Sequence, residues 1–230
     1  MGLLVTLDLF SAATDSARGA SATFAAIAAE RSWPVTGDEL YAAWDARNKA
    51  AQRVARPPTT FAAVSTSALA AAYDDLGLPA AAAPADRARV HAAVGDWPLW
   101  PDLADGVAAL RATPEVAAVG LLSNVDDDLA RATRAAALVD DDWLLTSQRL
   151  GAFKPDPALY AAARDAAVAA GFRLVHVAAS ARDVRGALEA GLAAVRLARP
   201  GHAVDPHGPP PPYEVGDARD LPSAVLAAAG

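Results

Sequence analysis

The chain has 230 residues, of which 53% are hydrophobic, with a formal net charge of -7 and a pI near 5.0. It contains only two lysines, Lys49 and Lys154, and no cysteine, which disfavours a nucleic-acid partner and excludes a disulfide framework or thiolate chemistry. The length suits one α/β domain carrying a smaller insert, and no apolar run in the sequence reaches the ~20 residues that a membrane-spanning helix needs.

Leu3–Leu7 reads as a strand buried on both faces, as in a parallel sheet. Met1–Thr6 matches an N-myristoylation pattern in its letters, but a buried strand is the better reading. The run is too short and lacks the basic lead-in of a signal peptide, so a cytoplasmic protein is expected. From about Asp15 to Gly95 the pattern is almost entirely helical. Thr36-Gly37-Asp38-Glu39 is a capping box, and the helix it opens places Leu40, Trp44, Ala51 and Val54 near one stripe. Pro57-Pro58 stops that helix. Further helices run from about Thr60 to Leu76 and from about Ala85 to Val94.

Strand–helix alternation begins after Trp100-Pro101. Val116–Leu122, Trp143–Leu145, Leu174–Val177 and Ala193–Leu197 read as strands. Helices are expected at Asp127–Leu138, Pro157–Ala170 and Arg182–Ala190, with a last one near Ser223. Pro200–Pro212 reads as a surface loop. Alternation of this kind argues for an α/β fold: a Rossmann-like parallel sheet covered on both sides. Residues 1–13 and 96–230 would form the core and residues 14–95 an inserted helical cap.

Ligands of such sheets sit beyond the carboxyl ends of the strands. Four strand ends carry reactive side chains: Asp8, Ser123-Asn124, Lys154 and Asp183. Asp156 and Pro157 suit the N-cap and first position of a helix starting just after Lys154. Asp126-Asp127-Asp128 and Asp140-Asp141-Asp142 read as helix caps and solvated turns rather than metal ligands. The histidines lack metal-ligand spacing, and His176 reads as a satisfied core residue.

In this order the four motifs resemble those of the haloacid dehalogenase superfamily: Leu7-Asp8-Leu9-Phe10, Leu121-Leu122-Ser123-Asn124, Gly151-Ala152-Phe153-Lys154-Pro155-Asp156-Pro157, and His176-Val177-Ala178-Ala179-Ser180-Ala181-Arg182-Asp183. The resemblance implies a hydrolase in which Asp8 attacks the substrate and forms an ester that water then cleaves. Lys154 would orient Asp8, Ser123 and Asn124 would hold the substrate, and Asp183 would help position water. Phosphatases of that superfamily carry a second acid two residues after the nucleophile and a Mg²⁺-binding acid in the fourth motif. Here those positions are Phe10 and Ala179. The resemblance is therefore nearest the 2-haloacid dehalogenase branch, which works without metal and whose halide leaves without a proton. It adds Phe10 and Ser180 to the substrate-binding residues. Trp44-Asp45-Ala46-Arg47-Asn48-Lys49 adds Arg47 as the halide acceptor, against the alternative of a solvated polar face. Trp97 and Trp100 are read mainly as core packing.

The expected cofactor is none, with Mg²⁺ as the alternative if the chain is a phosphatase. The remaining alternative is an impaired relative that binds a small anion or a protein. The expected partner is a small anionic substrate, with no nucleic acid and no membrane, and a homodimer is compatible with the sequence.

Overall fold

Strand β1 (Gly2–Leu7) is buried from Leu3 onward, and the sheet is built outward from it. The computed structural model describes residues 1–56, 58–204, 206–207 and 210–230. Its sheet contains β1, β2 (Val116–Ser123), β3 (Leu144–Thr146), β4 (Phe172–Ala178), β5 (Ala193–Leu197) and β6 (Glu214–Val215), in the order β3-β2-β1-β4-β5-β6. Every pairing is parallel. Leu7 lies opposite Leu121 on one side and Val177 on the other. That register brings Asp8, Ser123 and the end of β4 to one edge of the sheet.

Alternate side chains serve opposite faces, as the two-residue period of a strand requires. Leu3, Val5 and Leu7 pack with α5 (Leu103–Arg111) and α10 (Leu221–Ala229). Leu4 packs on the other face, against α8 (Pro157–Ala169) and α9 (Ala181–Glu189). Helix α5 is not among the elements expected from sequence, although its buried residues Leu103, Gly106, Val107 and Leu110 follow helical spacing. The helix expected over Asp127–Leu138 is divided. Helix α6 (Asp127–Ala132) ends where Thr133 caps a separate 3-10 turn, Arg134–Leu138. A short α7 (Ser147–Leu150) follows β3 and ends on Gly151, whose φ of 71° is one that glycine adopts readily.

Between β1 and α5 stand four helices: α1 (Ser16–Glu30), α2 (Gly37–Val54), α3 (Phe61–Asp75) and α4 (Ala83–Ala93). The capping box at Thr36 and Glu39 is formed as expected. The stop expected at Pro57-Pro58 falls partly on Pro57, which lies outside the described residues, as do positions 205, 208 and 209 of the expected surface loop. Among the described residues, no helix is long and apolar enough to cross a membrane.

Asp126 ties this helical block to the sheet. It was read as a cap of its own helix, but its side chain makes no capping bond there. It instead accepts the backbone N–H groups of Phe61 and Ala62, both at 2.8 Å, at the start of α3. Asp126→Ala is expected to destabilise the protein by about 1–2 kcal/mol, the scale of a lost N-cap. Chemical denaturation followed by circular dichroism measures it.

Candidate active site

The chain leaves β1 through a π-helical turn, Leu9–Ala13, with Asp8 as its N-cap. Asp8 N–H remains in the sheet register by donating to Val177 O at 2.8 Å. Its carboxylate is thus fixed at the edge where the strands end. Oδ2 accepts the Ser11 backbone N–H at 3.0 Å and the Ser11 hydroxyl. Oδ1 accepts Lys154 Nζ at 2.7 Å.

The turn is held from behind. Trp100 Nε1 donates to Ser11 O at 3.0 Å. Arg199 donates to Ala12 O, pairs with both carboxylate oxygens of Asp102 at 2.7 and 2.8 Å, and lies over the Trp100 ring.

Lys154 is buried, and its ammonium has three N–H donors. They reach Asp8 Oδ1 at 2.7 Å, Leu122 O at 2.7 Å and Asp183 Oδ2 at 2.5 Å. Burial alone would lower the lysine pKa, but Asp183 and Asp8 raise it above the ordinary value. Asp183 is fixed in turn by Tyr160 OH at 2.8 Å on Oδ1 and by His176 Nε2 at 3.2 Å on Oδ2. Burial would raise the Asp183 pKa, yet Lys154 and then His176 hold its carboxyl well below the usual carboxylate range. His176 Nδ1 meets Thr6 Oγ1 at 3.0 Å. An Nε2–H tautomer satisfies both bonds, so His176 is a buried, bonded residue of the sheet and supports Asp183.

The lysine's backbone is held as firmly as its head group. Asn124 Oδ1 accepts Lys154 N–H at 2.6 Å, while Asn124 Nδ2 donates to Lys154 O at 2.9 Å and to Gln52 Oε1 at 2.8 Å. Asn124 lines the cleft, but its amide is occupied in fixing the Lys154 loop to α2. Asp156 caps α8 as the sequence implied, accepting from Ala158 N–H at 3.0 Å.

The cleft above Asp8 lies between the sheet edge and the helical block. Asp8, Lys154, Asp183, Ser123, Asn124, Phe10 and Ser180, all expected from sequence, line it. Among the described residues, the Ser123 side chain forms no hydrogen bond within the protein, so it is available to a ligand. Ser180 also caps α9, accepting from Asp183 N–H at 3.4 Å. The Phe10 ring packs on Trp97, with centroids 5.6 Å apart, so Trp97 is part of the cleft wall.

Arg47 is not in the cleft. It is an exposed residue paired with Asp75 through Nε at 2.6 Å and Nη2 at 2.5 Å. The expected halide acceptor is corrected on this point. Helix α2 buries Trp44, Asn48 and Gln52 on one stripe, and that orientation turns Arg47 sideways, toward the end of α3. The expected apolar stripe is corrected as well: Val54 is 76% exposed. The end of α2 faces a polar cleft, so its inward positions carry amides.

Several cleft residues were not anticipated. Ser11 supports Asp8 through both its backbone N–H and its hydroxyl. Lys49, ion-paired with Asp45 at 2.5 Å, and Arg182, which donates to Lys49 O and Gln52 Oε1 at 3.1 and 3.3 Å, put positive charge into the cleft. His202 also reaches it. Burial pushes the imidazole pKa down, against the opposing pull of Asp8. The sequence signal for Arg182 was its position next to Asp183, and for Asn48 and Gln52 their spacing of four on α2. For His202, inside a proline-rich stretch, there was none.

No protein-family model matches the chain, and no curated protein matches it. Solved structures do. The L-2-haloacid dehalogenase from Xanthobacter autotrophicus has 23% sequence identity and a TM-score of 0.79, with 99% of each chain covered. The same enzyme with chloropropionic acid covalently bound gives a TM-score of 0.77 at 23% identity, covering 98% of this chain and 99% of that one. A 2-haloacid dehalogenase from Pseudomonas syringae pv. Tomato DC3000 gives 0.63 at 23% identity, with 99% of each chain covered. Over nearly its whole length, the chain has the fold of the 2-haloacid dehalogenases.

Proposed function

We propose that the protein is a metal-independent hydrolase of the 2-haloacid dehalogenase type, acting on a small anionic substrate through an ester on Asp8. One observation carries this reading. Lys154 directs all three of its N–H groups at Asp8, Leu122 O and Asp183, so the Asp8 carboxyl group is aligned at the cleft floor while Asp183 is fully engaged. A carboxylate held in this way is a nucleophile.

In the reaction, an Asp8 oxygen attacks the halogen-bearing carbon. The carbon–halogen bond breaks, and its electron pair departs with the halide. Water then adds to Cγ of the ester; one of its protons passes to the departing oxygen and the other to solvent, so the hydroxy acid leaves and the Asp8 carboxylate is restored. Ser123 donates to the substrate carboxylate, and Lys49 and Arg182 make the cleft attractive to an anion. Phe10 and Trp97 form the apolar side of the cleft. That chloropropionic acid is covalently bound in the Xanthobacter autotrophicus structure supports a covalent intermediate.

The residues present do not suit Mg²⁺. Asp8 already accepts three hydrogen bonds, two from Ser11 and one from Lys154, and Asp183 accepts three, from Lys154, Tyr160 and His176, and a hard cation needs free oxygen ligands. Halide release from 2-chloropropionate, unchanged by EDTA, is the expected result. No release across a panel of 2-haloacids, together with EDTA-sensitive phosphate release from p-nitrophenyl phosphate, would replace this reading with a phosphatase.

The cleft geometry also separates two arginines. Arg47→Ala is expected to change kcat/KM by less than about threefold, because an exposed pair is a weak contributor. Arg182→Ala is expected to raise KM about tenfold through the loss of a charge-assisted contact. Steady-state kinetics on the same substrate compares them directly.

A further inference from the structure

The cleft above Asp8 is small, with a volume of about 110 Å³. It does not end there. Lys49, Ser180, Arg182 and His202 also line a second, open groove of about 690 Å³. This groove lies between the last turn of α2 and the exposed side of α9, where Arg53 and Arg185 line it.

The charge of the groove is opposite to that of the chain. The protein carries a net -7, yet four basic side chains and a single acid, Glu189, line the groove among the described residues. Glu189 pairs with Arg185 at 2.7 Å, and Lys49 pairs with Asp45 at 2.5 Å. Burial keeps His202 neutral near neutral pH. Two cations are left over. Arg182 donates only to uncharged oxygens, Lys49 O and Gln52 Oε1. Arg53 is exposed, and its side chain makes no hydrogen bond or ion pair among the described residues.

These cations form two steps. Arg53 stands four residues after Lys49 on α2, and Arg185 three after Arg182 on α9, so each pair shares a helix face. The inner pair, Lys49 and Arg182, lines both the cleft and the groove; the outer pair, Arg53 and Arg185, lines the groove alone. One turn of helix, about 5 Å, separates the steps. A short acid in the cleft uses only the inner step, and nothing about it calls for the outer one.

We infer that the groove holds the far end of an elongated substrate: a chain whose first carboxylate sits in the cleft and whose second anionic group sits about one helical turn farther out, against Arg53 and Arg185. Placing the reacting carbon at Asp8 rests on the function proposed above. The preference for a dianion rests on the groove alone.

Isothermal titration calorimetry of the full-length protein with adipate, hexanoate and inorganic phosphate tests the groove without catalysis. Adipate should bind at least about tenfold tighter than hexanoate, which has the same length and one charge fewer, and added salt should weaken it. Arg53→Glu should erase that difference and Arg53→Lys should keep most of it; at an exposed position neither change threatens the fold. Equal or undetectable binding of adipate and hexanoate would overturn the inference. So would phosphate alone binding more tightly than adipate, or an adipate preference unchanged in Arg53→Glu. Kinetics then separates the groove from the reaction. The kcat/KM for 2-chloroadipate should exceed that for 2-chlorohexanoate at least about tenfold in the wild type and by less than about twofold in Arg53→Glu, with 2-chloropropionate turnover unchanged in that variant. Adipate binding that depends on Arg53, without turnover of any haloacid, would keep the groove and remove the proposed reaction. Turnover of both long haloacids at equal kcat/KM would keep the reaction and remove the groove.

Discussion

Asp8→Asn is expected to lower halide release by more than about 10³-fold, the scale seen when a nucleophile is removed. The carboxamide has nearly the same shape but no anionic oxygen to attack carbon. The rest of the site should survive. Lys154 keeps its bonds to Asp183 Oδ2 and Leu122 O, and the turn after Asp8 keeps its supports from Trp100 and Arg199. Rate loss with an unchanged circular dichroism spectrum is therefore the predicted pattern. Activity above about a tenth of wild type would mean that Asp8 is not the attacking group.

Lys154→Met should damage both stability and rate. It removes the cation between two buried carboxylates, Asp8 and Asp183. Breaking a buried ion pair by deleting one partner costs about 3–5 kcal/mol, or a fall in Tm on the order of 10 °C for a chain of this size. The effect depends on pH in a defined way. The Asp183 pKa is lowered by folding. Its stabilising contribution is therefore complete above the unfolded value of about 3.9 and disappears as pH falls through the lower folded value. The Lys154 pKa is raised, so its contribution is complete below about 10.4 and is lost as pH rises through the folded value. The stability gap between wild type and Lys154→Met should be widest between about pH 4 and pH 10 and should narrow in stronger acid. Urea denaturation at several pH values measures this. A gap independent of pH down to pH 2 would contradict it.

The convergence of Asp8, Ser123, Lys154 and Asp183 was legible in the sequence because parallel strands in register end together. Knowing the strands was enough to know that their following residues would meet. The partners of these groups were less legible. Tyr160 and His176 reach Asp183 from the first turn of a helix and the interior of a strand, positions that sequence patterns assign to packing. Asp126 was readable as a cap, but the helix it caps begins 65 residues earlier in the chain, a contact that only tertiary structure creates. Helix α2 shows how a periodicity argument fails at a functional surface. An apolar stripe continued through Ala51 and Val54 assumes that the buried face is apolar throughout. The structure buries Asn48 and Gln52 instead, because that end of the helix lies over a polar cleft. The same turn of the helix moves Arg47 out of the site and leaves Lys49 and Arg182 as its nearer cations. The π-helical turn after Asp8 left no sequence signal either. It is a local widening of one turn, and its consequence is that Ser11 both faces Asp8 and accepts from Trp100.

The central claim is that Asp8 becomes esterified and is released by water attacking its own carbonyl carbon. A single turnover of a 2-haloacid in H₂¹⁸O, followed by mass spectrometry of the peptide containing Asp8, tests it directly. The account predicts one ¹⁸O in the Asp8 carboxylate and an unlabelled hydroxyl on the product, whose oxygen came from Asp8. Label in the product hydroxyl with none on Asp8 would show that water attacks the substrate directly, and would contradict the account.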